Sequence, residues 1–391
     1  MNPLYLLAFF GHIFLWVGLI NRVHSFGLRR WVVKSIGAAF FGCMGGIPVA
    51  LAIWPIEQPM SIGSSGSMQP ARLAVQAYLV GCCVVAVVTV VRLALRRMAP
   101  SPSVVRSCSR QPWCVPRDQA AAVEQSARHF LSRLPGNEVL HLELSRWTLD
   151  VPRLHPALDG LSIAHLSDLH FNGWIGKPFF QEAVRLCNAM EPDLVAVTGD
   201  LVDVPECIDW IPDTLGRLTA RHGVFFILGN HDIRIDADRL RRTLTDSGLI
   251  DLGGRWKAVN IRGQLVVLAG NELPWIAPAA DLSNCPARQQ DGSPLRIALA
   301  HTPDQFGWAR ARDIDLLLAG HTHGGQIRIP PFGPIFSPTF EGVRYVSGVF
   351  FREPTILHVT RGISSILPVR RNCPPELALL ELRSSSVTSP G

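Results

Sequence analysis

The sequence lacks a cysteine framework. Its nine cysteines show no metal-knuckle spacing: Cys82 and Cys83 lie inside an apolar run, and Cys108 and Cys114 fall in a stretch rich in proline and serine. An odd count without a pattern points to reduced thiols in a reducing compartment. Charge is scarce as well, at 17% of residues against 48% hydrophobic, and the mean hydropathy is +0.21. That balance is too apolar for an ordinary soluble enzyme and too mixed for a pure transporter, so it implies a membrane part joined to a soluble part. Acidic residues are missing between Arg92 and Arg117, where six arginines supply a charge equal to the whole net charge of +6. A nucleic-acid binder spreads its basic residues over a folded face. Here they follow directly on an apolar segment, as a topology signal and headgroup contact, and no nucleic-acid partner is expected.

Three apolar runs precede Pro100, at 4–20, 31–54 and 73–91. Each is near the length of about 20 residues that crosses a bilayer core as a helix. No basic residue stands ahead of the first run, which argues against a cleaved signal peptide. Lys34 lies near one end of the second run and can snorkel to the interface. Gly37, Gly42, Gly45 and Gly46 in the same run would allow close packing against another helix. The first connection carries Arg22, Arg29 and Arg30, whereas the second, 55–71, has Glu57 and no Lys or Arg. Positive-inside reasoning then puts the first connection, and everything after Arg92, in the cytoplasm. The expected organisation is a membrane domain over 1–97 with about three transmembrane helices, a linker over 98–137 with a short helix at 120–134, a soluble domain over 138–383, and a disordered tail at 384–391.

In the soluble part, short apolar runs repeatedly end in polar, metal-capable residues. Residues 161–166 lead to Ser167-Asp168-Leu169-His170, and 194–198 to Gly199-Asp200-Leu201-Val202-Asp203. Residues 224–228 lead to Gly229-Asn230-His231-Asp232, 297–300 to His301, and 316–319 to Gly320-His321-Thr322-His323. Continuous apolar runs of this length predict strands covered on both faces. Helical stretches fit between them, at 178–190 and 237–247, which gives an α/β sheet core with ligand groups gathered at the carboxyl ends of the strands.

Carboxylates, imidazoles and one amide oxygen form a ligand set for divalent transition metals rather than for calcium or a thiolate site. Taken singly, each motif has a plain structural reading, since Asn and Gly suit tight turns and a lone histidine after a strand is commonly a hydrogen-bonded core residue. Five coincidences of the right donor type at five strand ends are another matter. Seven protein ligands are too many for one metal and suit two ions sharing a bridge, an arrangement that activates water and clamps both oxygens of a phosphoryl displacement. His-rich sites accept manganese, iron, zinc or nickel, so the identity of the two divalent ions stays open. Glu272 and Trp275 sit in a loop that can touch ligand.

The order Asp168-x-His170, Gly199-Asp200-x-x-Asp203, Gly229-Asn230-His231-Asp232, His301 and Gly320-His321-x-His323 resembles that of the calcineurin-like metallophosphoesterases, over roughly residues 161–326. The resemblance implies a four-layer α/β/β/α sandwich, here preceded by the N-terminal bundle of transmembrane helices. It also implies that Asp168, His170 and His323 hold one metal, that Asn230, His301 and His321 hold the other, and that Asp200 bridges them. His231 would contact the phosphate and protonate the departing oxygen, with Asp203 orienting it. The tail, Gly324-Gly325-Gln326-Ile327-x-Ile329-Pro330, Arg361-Gly362, Leu367-Pro368-x-Arg370 and Cys373-Pro374-Pro375-Glu376, looks like the bacterial membrane-associated branch, or alternatively a structural β-extension. That branch implies a multi-pass protein of the bacterial inner membrane acting on a phosphodiester or pyrophosphate, with UDP-2,3-diacylglucosamine as one substrate type. Hydrolysis of soluble nucleotides or phosphoproteins, and a non-catalytic membrane adaptor, are the alternatives.

Overall fold

The computed structural model describes residues 3–53, 68–98, 100–114, 131 and 134–384. Residues 55–67 of the second connection, most of the helix expected at 120–134 and nearly all of the 384–391 tail lie outside the described residues, while 68–71 belong to the third helix. The chain divides into two compact units, 1–100 and 101–391.

In the first unit, α1 (Pro3–Val23), α2 (Arg30–Ile53) and α3 (Met68–Met98) are each long and apolar enough to cross a membrane. A polar cluster joins them: Nδ1 of His12 lies 2.6 Å from the Tyr78 hydroxyl and Nε2 lies 2.8 Å from the Met44 carbonyl, while Nε1 of Trp16 donates to Tyr78 at 3.1 Å. The close helix approach is not at the α2 glycines. A Cβ at Gly37, Gly42, Gly45 or Gly46 meets nothing within 4 Å, whereas one at Gly11 falls on the backbone of Cys82. Small residues permit close approach only on the face that meets a neighbour, and the spacing alone does not say which face that is.

The second unit is built on two sheets. One has seven strands in the order β1 (Val105–Cys114), β2 (His141–Val151), β15 (Glu376–Ser384), β3 (Leu161–Leu166), β4 (Leu194–Thr198), β5 (Val224–Ile227) and β6 (Ile250–Asp251). The other has six, in the order β13 (Gly348–Arg352), β14 (Thr355–Val359), β10 (Leu316–Ala319), β9 (Leu295–Ala300), β8 (Gln264–Asn271) and β7 (Trp256–Ile261). The pairs β3–β4, β4–β5, β8–β9, β9–β10 and β10–β14 are parallel, so these strands end on common edges.

Alternate residues show why the runs are apolar on both faces. Leu161, Ile163, Leu194, Ala196, Phe225 and Ile227 meet Val266, Leu268, Ile297, Leu299, Leu316 and Leu318 in a core between the sheets. Their neighbours Ala164, Leu166, Val195, Val197 and Phe226 point the other way, onto α4 (Lys177–Ala189) and α5 (Ala237–Asp246). On the far side Ala298, Ala300, Leu317 and Ala319 pack on α6 (Phe306–Ala311). The layers are therefore α/β/β/α. One polar pair interrupts the central core: Nδ1 of His165 on β3 lies 2.9 Å from Nδ1 of His358 on β14, joining the two sheets.

Residues 105–114 are a correction to the expected linker. They form β1, antiparallel to β2, and the compact unit starts at Ser101 rather than near 138. The strand carries no apolar alternation because it lies at the sheet edge with most side chains exposed, and Pro112, which cannot donate to a ladder, is tolerated there. All nine cysteines are free thiols.

Candidate metal centre

Five strand ends and the loop after β14 meet at one place. Backbone hydrogen bonds tie the turns together: Asp168 N to Gly199 O (2.9 Å), His170 N to Asp200 O (3.0 Å), Gly320 N to His301 O (2.9 Å) and Ser364 N to Asp168 O (2.8 Å). Asp168, His170, Asp200, His321 and His323 all hold left-handed backbone, with φ between 47° and 70°. Such φ is uncommon for residues other than glycine and gathers where the surrounding structure imposes a functional geometry. Nothing in the sequence signals it.

The structure brings together all nine residues singled out above. Asp168, His170 and His323 form one group of converging donors, and Asp200, His301 and His321 another; a third, overlapping group joins His170 and Asp200 to His231. Asp200 Oδ2 stands between the first two groups, 3.7 Å from Nε2 of His170 and 3.2 Å from Nε2 of His301. Its other oxygen is fixed by the backbone N–H of His231 at 2.7 Å. Asn230 Oδ1 lies 3.2 Å from Nε2 of His301. Packing here is tight, since a Cβ on Gly229 would lie 2.3 Å from Asp200 Oδ1.

Each of four histidines has one ring nitrogen occupied by a partner behind it. His170 Nδ1 donates to Asp203 at 3.0 Å, His301 Nδ1 to the Thr198 carbonyl at 2.7 Å, His321 Nε2 to the Pro338 carbonyl at 2.9 Å and His323 Nδ1 to the Ser364 carbonyl at 3.1 Å. The free nitrogens then face one another: His170 and His323 at 3.3 Å, His301 and His321 at 3.2 Å. Unprotonated nitrogens facing at that distance repel unless a cation lies between them. Partners behind the ring that fix its tautomer are what metal-binding histidines require. The donor set therefore fits divalent metal.

Electrostatics divide the four rings: burial favours the neutral form at His321 and His323, while at His170 burial is outweighed by Asp203 and the other carboxylates beside it, which favour charge. Burial, with His301 nearby, pushes His321 down to about 3, and burial beside His170 holds His323 well below the ordinary histidine value. At His301 burial acts the same way, but the Asp200 carboxylate outweighs it and raises the ring to about 9. Burial and the Asp200 charge lift Asp232 to about 7; its two oxygens accept the backbone N–H groups of Leu201, Val202 and Gly229. Asp232 is thus a brace for the turns after β4 and β5, a part the sequence did not assign.

Asp203 does more than expected. Its Oδ1 accepts from Nδ1 of His231 at 2.6 Å as well as from His170, so one carboxylate orients two rings. Arg234, exposed and one turn beyond, places Nη1 2.8 Å from Nε2 of His231. Of the two residues left open, Glu272 is buried and accepts from Leu228 N at 2.6 Å and from Arg241, bracing the end of β5. Trp275 lies on the centre itself, with its ring centroid 5.5 Å from His301 and 5.0 Å from His321.

Three tail residues, Arg361, Arg370 and Glu376, brace the turns beneath the centre. Arg370, fully buried, donates to the carbonyls of Arg361, His323 and Ser364. Arg361 pairs with Glu143 and Glu376, and Glu376 also accepts from Ser145 at 2.6 Å. Burial works against the Glu376 carboxylate, but Arg361 and His358 hold it down at about 2.

Comparison with known proteins places this geometry. Residues 161–325 match the family described as calcineurin-like phosphoesterase. The chain is 31% identical over 229 residues to phosphodiesterase YaeI of Escherichia coli (strain K12), covering 56% of this chain and 81% of that one. It is 27% identical over 252 residues to the uncharacterized metallophosphoesterase YkuE of Bacillus subtilis (strain 168), covering 63% and 87%. A Bos taurus protein named transmembrane protein with metallophosphoesterase domain is 30% identical over 258 residues, covering 61% of this chain and 57% of that one.

Proposed function

This chain belongs to the calcineurin-like metallophosphoesterases and is a metal-dependent phosphoester hydrolase, and on that premise we propose that it is anchored in a membrane and cleaves a phosphodiester or pyrophosphate bond of a lipid-linked substrate at a centre of two divalent ions. The observation that carries the reading is the position of Asp200, one oxygen of which faces both groups of donors. On this reading Asp168, His170 and His323 would hold one ion, Asn230, His301 and His321 would hold the other, and Asp200 would serve both.

Bound there, the ions supply Lewis acidity, stabilising charge on the phosphoryl oxygens and acidifying water. The protein's own groups do the rest. Asp203 takes the Nδ1 proton of His231 in a hydrogen bond and fixes the ring, leaving Nε2 to exchange a proton with the departing oxygen. Arg234 brings a positive charge to the same nitrogen, where it can meet an anionic phosphoryl oxygen. Trp275 covers His301 and His321 and keeps bulk water from that side.

Support for the membrane part comes from the three apolar helices and from the arginines that follow the third. By the positive-inside rule the catalytic unit faces the cytoplasm of a bacterial inner membrane. An enzyme tethered in this way meets lipid substrates in two dimensions. The test is a substrate screen on the full-length protein in detergent, with metal content measured on the same sample. Release of UMP from UDP-2,3-diacylglucosamine supports the lipid-linked reading. Turnover of bis-p-nitrophenyl phosphate with no turnover of lipid-linked esters rejects it.

A further inference from the structure

Building on the membrane-anchored reading above, we propose that an apolar lip formed by residues 326–340 and 364–369 is a second lipid contact, which dips among acyl chains beside the metal centre and admits a lipid-linked substrate from the bilayer. In the soluble unit, nine large apolar side chains stand exposed among the described residues, and seven of them lie in these two segments. Ile327, Ile329, Phe332, Phe336, Ile366 and Leu367 are each 41–49% exposed. Apolar surface gathered in this way is unfavourable in water and marks an interaction site.

The two segments form one surface. Gln326 Nε2 donates to the carbonyls of Leu367 (3.0 Å) and Val369 (2.9 Å), Arg328 N donates to Arg371 O at 2.9 Å, and Arg371 N returns to Gln326 O at 3.1 Å. The hairpin of β11 (Arg328–Ile329) and β12 (Gly333–Pro334) shapes the tip. Both segments also reach the centre, because the Pro338 carbonyl holds the His321 ring and the Ser364 carbonyl holds the His323 ring. The lip therefore starts at the rim of the site.

Its charge suits a lipid surface rather than a protein face. Residues 326–340 contain one charged side chain, Arg328, and 362–372 contain Arg370 and Arg371, with no carboxylate in either stretch. Bulky apolar residues beside Arg328 and Arg371, with carboxylates (Asp304 and Glu341) only at the Phe340 end and Arg370 buried beneath, suit the boundary between headgroups and acyl chains. The chain also carries three helices long and apolar enough to cross a bilayer, so lipid is the occupant at hand. The headgroup of a bound lipid would enter the centre while its chains stayed along the lip.

The test uses full-length protein in nanodiscs of phosphatidylethanolamine and phosphatidylglycerol, doped with a phospholipid carrying a photoreactive diazirine on its acyl chain. After irradiation, labelled peptides are mapped by mass spectrometry. The expected result is label in peptides from 326–340 and 364–369 in addition to α1–α3. Label confined to α1–α3 overturns the lip and leaves the anchor standing, whereas an unlabelled α1–α3 overturns the anchored reading itself. A double variant, Ile329→Ser with Phe332→Ser, should lose lip labelling. It should also slow turnover of a vesicle-borne lipid diester at least about fivefold, with bis-p-nitrophenyl phosphate turnover unchanged. Equal loss on both substrates contradicts the proposal.

Discussion

Oδ1 of Asp203 accepts a hydrogen bond from Nδ1 of His231 at 2.6 Å, and the same oxygen accepts from Nδ1 of His170 at 3.0 Å. Burial opposes its charge, yet the two rings hold this carboxylate far below the usual range. One side chain thus couples the proposed proton carrier to a proposed metal ligand. Asp203→Asn should impair both, lowering kcat by about 10²–10⁴-fold and metal affinity by roughly 10–100-fold. His231→Asn should lower kcat on a similar scale while metal content stays at the wild-type level. Unchanged metal affinity in Asp203→Asn would show that its bond to His170 is incidental.

Gly229 separates crowding from backbone conformation. A Cβ there would lie 2.3 Å from Asp200 Oδ1 and 2.9 Å from Cε1 of His301. Gly229→Ala should therefore cost about 10²-fold or more in activity, with weaker metal retention. Gly248 has φ of +94° and open space around it, so Gly248→Ala meets only the backbone penalty of about 1–2 kcal/mol. It should lower the melting temperature slightly and leave kcat alone. Full activity in Gly229→Ala would mean that the turn relaxes freely.

The convergence of side chains from 168 to 323 was legible in the sequence because each follows a strand with two buried faces and so a largely apolar run, broken in β3 by Ser162 and His165. What the sequence could not disclose depends on tertiary neighbours. The left-handed backbone of His321 and His323, the carbonyls of Thr198, Pro338 and Ser364 behind the rings, and the second bond of Asp203 all join residues remote in sequence or fixed only by the folded turn. Strand β1 was hidden for the opposite reason, since an exposed edge strand has no buried face to mark it. Glu272 and Trp275 sit three residues apart in one loop, yet one braces a strand and the other covers the histidines.

The buried pair His165–His358 predicts how stability depends on pH. Burial pushes His358 down to about 4, and burial together with His358 holds His165 well below 6.5. Unfolded, each ring titrates near 6.5. Between about 6.5 and 4 the unfolded chain binds more protons than the folded one, so this stability is complete above the window and lost as pH falls through it. The loss for His358 is roughly 3 kcal/mol. Glu376, held at about 2, loses its contribution in a lower window, from about 4.5 downward. The melting temperature of the soluble unit in the full-length protein should fall from pH 7 to pH 4.5, and His358→Leu should flatten that slope. An unaltered slope in the variant would remove the pair from the explanation.

The proposed chemistry needs two ions held by groups that share Asp200. The most direct measurement is metal stoichiometry and electron paramagnetic resonance of the manganese-loaded full-length protein, beside Asp200→Ala. The expected result is about two ions per chain with an exchange-coupled signal, both lost in the variant together with activity. One uncoupled ion at full turnover, or an Asp200→Ala protein that keeps the coupled pair, would contradict it.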